Sequence, residues 1–254
     1  MINIALFWIL IAATRGVEAR SPECAAMLDS GDVEYRQFDN TGALELYTRA
    51  YRECPGSYGT LMKMARAFID AGGDRNNAES AALYDKGLRY ADTMQKRYPD
   101  SAQSWFLKAV AAGNLARLKS GRRKLVLSRI VEHDIGKSIG FDSSFAPAYI
   151  VLGTYLREIA TLKPFEKTMF FFLSGKMPAG SLEGSERALL KALKLSPENI
   201  DGLLELARTE IALGRNGEAI ILLQKMQKCP PAWHLDGKFK DEGAHLLKQL
   251  RGGP

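Results

Sequence analysis

A small residue returns five times along this chain, each time four positions after a bulky apolar one. The pairs are Met27 and Gly31, Leu61 and Ala65, Trp105 and Ala109, Tyr149 and Gly153, and Leu203 and Ala207. Four residues is just over one helical turn, so each pair stacks a large and a small side chain on one helix face. Such a face gives a second helix an anchor and, beside it, room to come close. Twelve positions after Gly31 and Ala207 a second pattern begins: Ala43, Tyr47, Ala50, Pro55 and Ala219, Leu223, Met226, Pro231. Ser185, Leu189, Ala192 and Pro197 repeat its steps of four, three and five, and Ser185 lies 34 residues before Ala219. Both patterns have helical spacing and a proline ends the second, so the unit is a pair of helices.

A 34-residue period with this pattern resembles the tetratricopeptide repeat, a helix–turn–helix unit that stacks into a solenoid. The resemblance implies an all-α, right-handed α-solenoid of about five hairpins with a C-terminal capping helix. It also implies a surface for holding another protein or peptide, without enzymatic activity and without a cofactor. Glycine, proline and capping residues predict the pairs at about 25–38 and 41–54, 57–71 and 77–97, and 101–118 and 122–140. A fourth pair starts near Phe145, but its second helix begins only near Ser181. Between them lies an insertion at about 162–180, able to form a short helix over 164–173. The fifth pair is expected at about 199–213 and 216–228, and a capping helix at about 236–250. The whole of 24–254 then reads as one repeat domain.

The first nineteen residues stand apart. Ile4 to Ala13 form a ten-residue apolar run, short for a membrane span. Val17 and Ala19 give a small-x-small end before Arg20, which reads as a secretory signal peptide over 1–19 and predicts a periplasmic or secreted protein. The basic residues follow the run instead of preceding it, so a retained membrane anchor is the alternative. Cys24 opens the first hairpin and Cys54 closes it. In an oxidising compartment a Cys24–Cys54 disulfide is geometrically natural; two free cysteines serving as small core residues are the other reading.

No catalytic constellation stands out. Gly136-Lys137-Ser138 lacks the earlier glycine of a phosphate-binding loop, with Val131 in its place. His133, His234 and His245 share no metal-ligand spacing, and three cysteines without a C-x-x-C pair leave no zinc site. Two other features could meet partners. Lys119, Arg122, Arg123, Lys124 and Arg129 cluster around a turn at Gly121 with no acid among them. They suit an acidic protein tail or an anionic membrane surface. The lack of interleaved aromatic residues speaks against nucleic acid. The run Met169-Phe170-Phe171-Phe172-Leu173 either packs back onto neighbouring helices or forms an exposed contact patch.

In tetratricopeptide repeats the first helix of each pair lines the concave groove. Carried over, that places Tyr35, Arg36, Arg66, Ile69, Phe106, Asn114, Arg157 and Arg208 there, a mixture suited to an amphipathic helix or a partly acidic peptide. Leu28 and Asp32 stand where carboxylate-gripping repeats carry other residues, so that specialised role is not expected. A closer resemblance covers about 105–247. Trp105 with Gly113-Asn114-Leu115, Glu132-His133-Asp134-Ile135, Leu152-Gly153, the insertion and Ser185 to Pro197 resemble the regulator of microtubule dynamics family. In its animal members the name implies association with microtubules. A small amphiphile held near 164–174 is a further alternative.

Overall fold

The computed structural model describes residues 21–73, 75–175 and 178–252. The N-terminal run, with its signal-peptide and anchor readings, lies outside the described residues. Among these, the chain forms twelve α-helices and no strand. The pairs are α1 (Pro22–Arg36) with α2 (Asn40–Glu53), α3 (Tyr58–Gly73) with α4 (Asn77–Arg97), and α5 (Ala102–Arg117) with α6 (Gly121–Phe141). Next come α7 (Ala146–Ala160), the inserted α8 (Pro164–Ser174), and α9 (Leu182–Leu195), which pairs with α7. The chain closes with α10 (Ile200–Ala212), α11 (Asn216–Lys228) and α12 (Asp236–Arg251).

The boundaries follow local chemistry. The first amides of a helix have no partner inside it, and side chains supply one. Ser21 Oγ accepts from the Cys24 amide at 3.1 Å, Asp39 from Gly42 at 2.9 Å, Ser181 from Gly184 at 3.0 Å and Asn199 from Gly202 at 2.8 Å. The turn between α10 and α11 needs a left-handed residue, and Gly214 provides it at φ 77°.

The recurring small residues are where helices touch. Ala65, Ala109 and Ala207 are wholly buried, as are Leu61 and Leu203. A Cβ added at Gly31 would lie 2.5 Å from the Tyr47 ring, and one at Gly153 would lie 2.5 Å from Leu189. The small residue of the first helix thus receives the large residue of the second. In the second pair the same job falls to Gly72, whose added Cβ would lie 2.5 Å from Tyr84. There Ser80, Tyr84, Gly87 and Ala91 form the buried stripe of a longer helix.

The first helices of successive pairs touch one another, α1 with α3, α3 with α5, α5 with α7 and α7 with α10. They make the inner layer of the solenoid; α2, α4, α6, α9 and α11 make the outer one. α12 covers the final face, packing on α11 and α10 through Phe239, Leu246, Leu247 and Leu250. The segment before α12 also reaches back to the beginning of the chain. Trp233 Nε1 donates to the Tyr35 hydroxyl at 3.1 Å, and Lys238 Nζ donates to the Gly73 carbonyl at 3.1 Å.

Cys24 and Cys54 face each other as a disulfide with Cα atoms 6.4 Å apart, joining the start of α1 to the end of α2. Cys229 is free and buried. The aromatic run of α8 splits. Phe170 is fully buried among Leu125, Leu127, Tyr155 and Ile159. Phe171, Phe172 and Leu173 are exposed, as is Phe165 near the start of the helix. No helix among the described residues is long and apolar enough to cross a membrane.

Candidate functional site

The inner layer carries interacting polar side chains. Three clusters follow one another along it. In the first, the Tyr35 hydroxyl donates to Asp70 Oδ2 at 2.8 Å and accepts from Trp233. The Arg66 guanidinium sits 4.2 Å over the Tyr35 ring and 3.6 Å from the same Asp70 oxygen. Burial pushes the Asp70 carboxyl up against the pull of Arg66, and burial also raises the Tyr35 hydroxyl.

The second cluster joins α5 to α7. Arg117 Nε donates to Glu158 Oε1 at 2.8 Å, and its Nη1 donates to Asn114 Oδ1 at 3.2 Å. Half of the Arg117 side chain remains exposed, so a molecule entering the groove can reach it. The third cluster joins α7, α10 and α12. Glu205, 4% exposed, accepts from Arg157, Arg208 and the Thr154 hydroxyl, and Arg208 also pairs with Glu242. Burial alone would raise the Glu205 carboxyl, but Arg157, Arg208 and Arg117 outweigh it and hold it below the usual range. Asp201, one turn earlier on α10, goes the other way. Burial and the neighbouring Glu205 charge push it up to about 7, against the pull of Arg117 and Arg208.

Of the groove residues read from sequence, the structure places Tyr35 with Arg66 in the first cluster, Asn114 in the second, and Arg157 with Arg208 in the third. Arg36, Ile69 and Phe106 stand outside all three. Arg36 is exposed at the end of α1. Ile69 is a correction: it is 6% exposed and packs in the core with Leu61, Leu107 and Ala111. Phe106 is half-buried, edge-on to Phe145 with ring centres 4.9 Å apart, so it too serves packing. In the basic cluster, Lys124 is bound to Glu166 of α8 at 2.7 Å. Lys119, Arg122, Arg123 and Arg129 are exposed and make no salt bridge among the described residues. Lys119 and Arg123 border an open cleft with Ala81, Ala82, Asp85 and Leu115.

Sequence reading overlooked Asp70, Glu158, Glu205 and Trp233. Two of them were within reach of helical spacing: Asp70 is four residues after Arg66, and Glu205 three before Arg208, so each pair shares a face. Nothing local marks Trp233, whose partner Tyr35 is 198 residues away. The described residues contain no group of three or more acidic, histidine or cysteine side chains placed to hold a metal ion.

Known proteins resemble this arrangement at two levels. A thermophilic tetratricopeptide-repeat protein of Thermus thermophilus, TTC0263, superposes with a TM-score of 0.66 at 19% identity, covering 89% of this chain and 100% of its own. MamA of Desulfovibrio magneticus RS-1 superposes with a TM-score of 0.49 at 15% identity, covering 83% of this chain and 97% of its own. The first likeness shows a tetratricopeptide-type helical solenoid. No curated protein matches the chain. The family described as Regulator of microtubule dynamics protein 1-3 matches residues 27–251, from within α1 to the last residue of α12. The stretched third hairpin and inserted α8 are thus part of a pattern that runs through nearly all of the described chain, which belongs to the Regulator of microtubule dynamics protein 1-3 family.

Proposed function

We propose that this protein is a non-enzymatic interaction scaffold that holds a peptide or helix of another protein in its groove, along α5, α7 and α10. The observation that carries this reading is the pair of unequal ion clusters there. Glu205 with its arginines is a buried floor that fixes the spacing of α7 and α10. Arg117 with Glu158 and Asn114 is a half-exposed site whose internal partner can be exchanged. A carboxylate or backbone carbonyl from a partner can replace Glu158 at Arg117 with little net loss, because the guanidinium keeps a charge-assisted hydrogen bond. The space beneath the insertion is filled by Phe170, which favours this reading over a small amphiphile held there. The apolar run before Arg20 supports an exported or membrane-tethered setting.

Native affinity purification from the source cells tests it, comparing the wild type with Arg117→Ala and with Asn114→Ala. A discrete protein recovered with the wild type and lost about tenfold with Arg117→Ala is the expected result, as for removal of a charge-assisted contact. Recovery equal to the wild type with both variants would refute groove binding.

A further inference from the structure

α8 presents its aromatic side chains outward, which inverts the usual order of a surface helix. Phe165 and Phe172 are 77% and 81% exposed, and Phe171 beside them is 56% exposed. Phe165, Thr168 and Phe172 fall at i, i+3 and i+7, so they share one face, with Phe171 at its edge. Phe170 points the other way and pins the helix to the core. The N-terminal half is also tied down by Lys124 to Glu166 at 2.7 Å. The aromatic face is therefore held on the outside.

The charge around it has one dominant sign. Lys163 and Lys167 are exposed on α8 and its N-cap, and the single acid of the helix, Glu166, is neutralised by Lys124. Arg122, Leu125 and Arg129 share a stripe of α6, and Leu125 packs in the same core as Phe170. Both guanidiniums are exposed and without a salt bridge among the described residues. Glu132, further along α6, is the nearby exposed acid. An acidic protein surface would satisfy the cations but leave three phenyl rings in water, and an apolar protein groove would leave the cations unanswered. The boundary between lipid headgroups and acyl chains answers both.

We propose that α8, with the first turns of α6, is a docking surface for an anionic lipid bilayer, in which Phe165, Phe171 and Phe172 enter the headgroup–acyl boundary while Arg122, Arg129, Lys163 and Lys167 meet the lipid charges. This surface lies outside the inner layer and does not depend on what the groove holds.

The test is a full-length protein carrying an environment-sensitive nitrobenzoxadiazole label at Phe172→Cys, compared with the same label at Gln224→Cys on the outer face of α11. Each is mixed with vesicles of phosphatidylcholine alone or with about one third phosphatidylglycerol. The label at 172 should brighten about twofold and shift to the blue with the anionic vesicles only, and the label at 224 should not change. Added salt, or the pair Arg122→Glu and Arg129→Glu, should weaken the partition by about tenfold or more, since each cation near a charged surface contributes a factor of about five. Because the signal belongs to position 172, attachment through the N-terminal apolar run does not imitate it. Four results would overturn the proposal: protein bound to vesicles with the 172 label still in water, an equal response to neutral vesicles, a 172 label already shielded by self-association without lipid, or one that responds to microtubules but not to vesicles.

Discussion

The fifth hairpin and the inserted α8 contain similar apolar residues and put them to opposite uses. In α10 and α11, Leu203, Leu204, Ala207, Leu223 and Met226 are all fully buried. In α8 Phe170 is buried, and Phe165, Phe171, Phe172 and Leu173 face outward. The difference comes from the number of neighbours. A repeat helix has a partner in its own pair and another in the next, so a wide stripe is covered. α8 lies along α6 at the edge of the stack, so Phe170 is covered, Met169 is partly covered and the outward face is not. The buried stripe of the fifth hairpin is thus core, and most of the apolar run of α8 is exposed.

The sharpest way to break this comparison is inside α8. Phe170→Ala should cost about 3–5 kcal/mol of unfolding free energy, the range for a fully buried aromatic side chain. Phe172→Ala should cost less than about 0.5 kcal/mol, as at an exposed position. Denaturant titration of both variants measures this, and equal losses would show that the outward face is also structural. The groove offers a similar contrast, read in the same titration. Glu205→Gln leaves Arg157 and Arg208 facing a neutral group in a buried place, so a loss of about 3 kcal/mol is expected. Glu158→Gln, at the half-exposed pair, should lose no more than about 1 kcal/mol.

Two smaller effects bear on the ends of the inner layer. Reducing Cys24–Cys54 frees a loop of 30 residues, and the loop-entropy account gives a loss of about 2–4 kcal/mol, read from melting with and without reductant. Unchanged melting would mean that packing alone holds the first pair. Asp201 concerns pH. Its folded carboxyl titrates near 7, above its unfolded value, so its contribution is fully present only below about pH 4 and fades as pH rises through 7. Asp201→Asn should remove a loss of about 1–2 kcal/mol between about pH 5 and pH 8, after allowance for partial solvation. Glu205 titrates in the opposite sense, losing its contribution only as pH falls below the ordinary carboxylate range.

Much of the architecture was legible in the sequence because repeats state their rule more than once. Glycine and proline punctuation located α1 to α12 to within a few residues, including α8 after Pro164. Which side of each helix is buried also followed from spacing in the regular pairs. Spacing failed at Ile69, whose small neighbours Gly72 and Gly87 let α4 come close to α3 and cover it. It also failed for the arginines, since a list of basic residues does not say which carboxylate each will meet. Arg117 lies two residues before the basic cluster, yet it turns to Glu158 on the inner layer. The contact of Trp233 with Tyr35 depends on the curvature summed over five hairpins, a property of the whole chain that no local pattern carries.

The most direct measurement is site-specific photo-crosslinking in the native cell. A photoreactive side chain at Asn114, beside Arg117 on the inner layer, is compared with one at Gln224 on the outer layer. A single discrete adduct from Asn114 and none from Gln224 is the outcome expected of a scaffold that works through its groove. Adducts from Gln224 alone would contradict it.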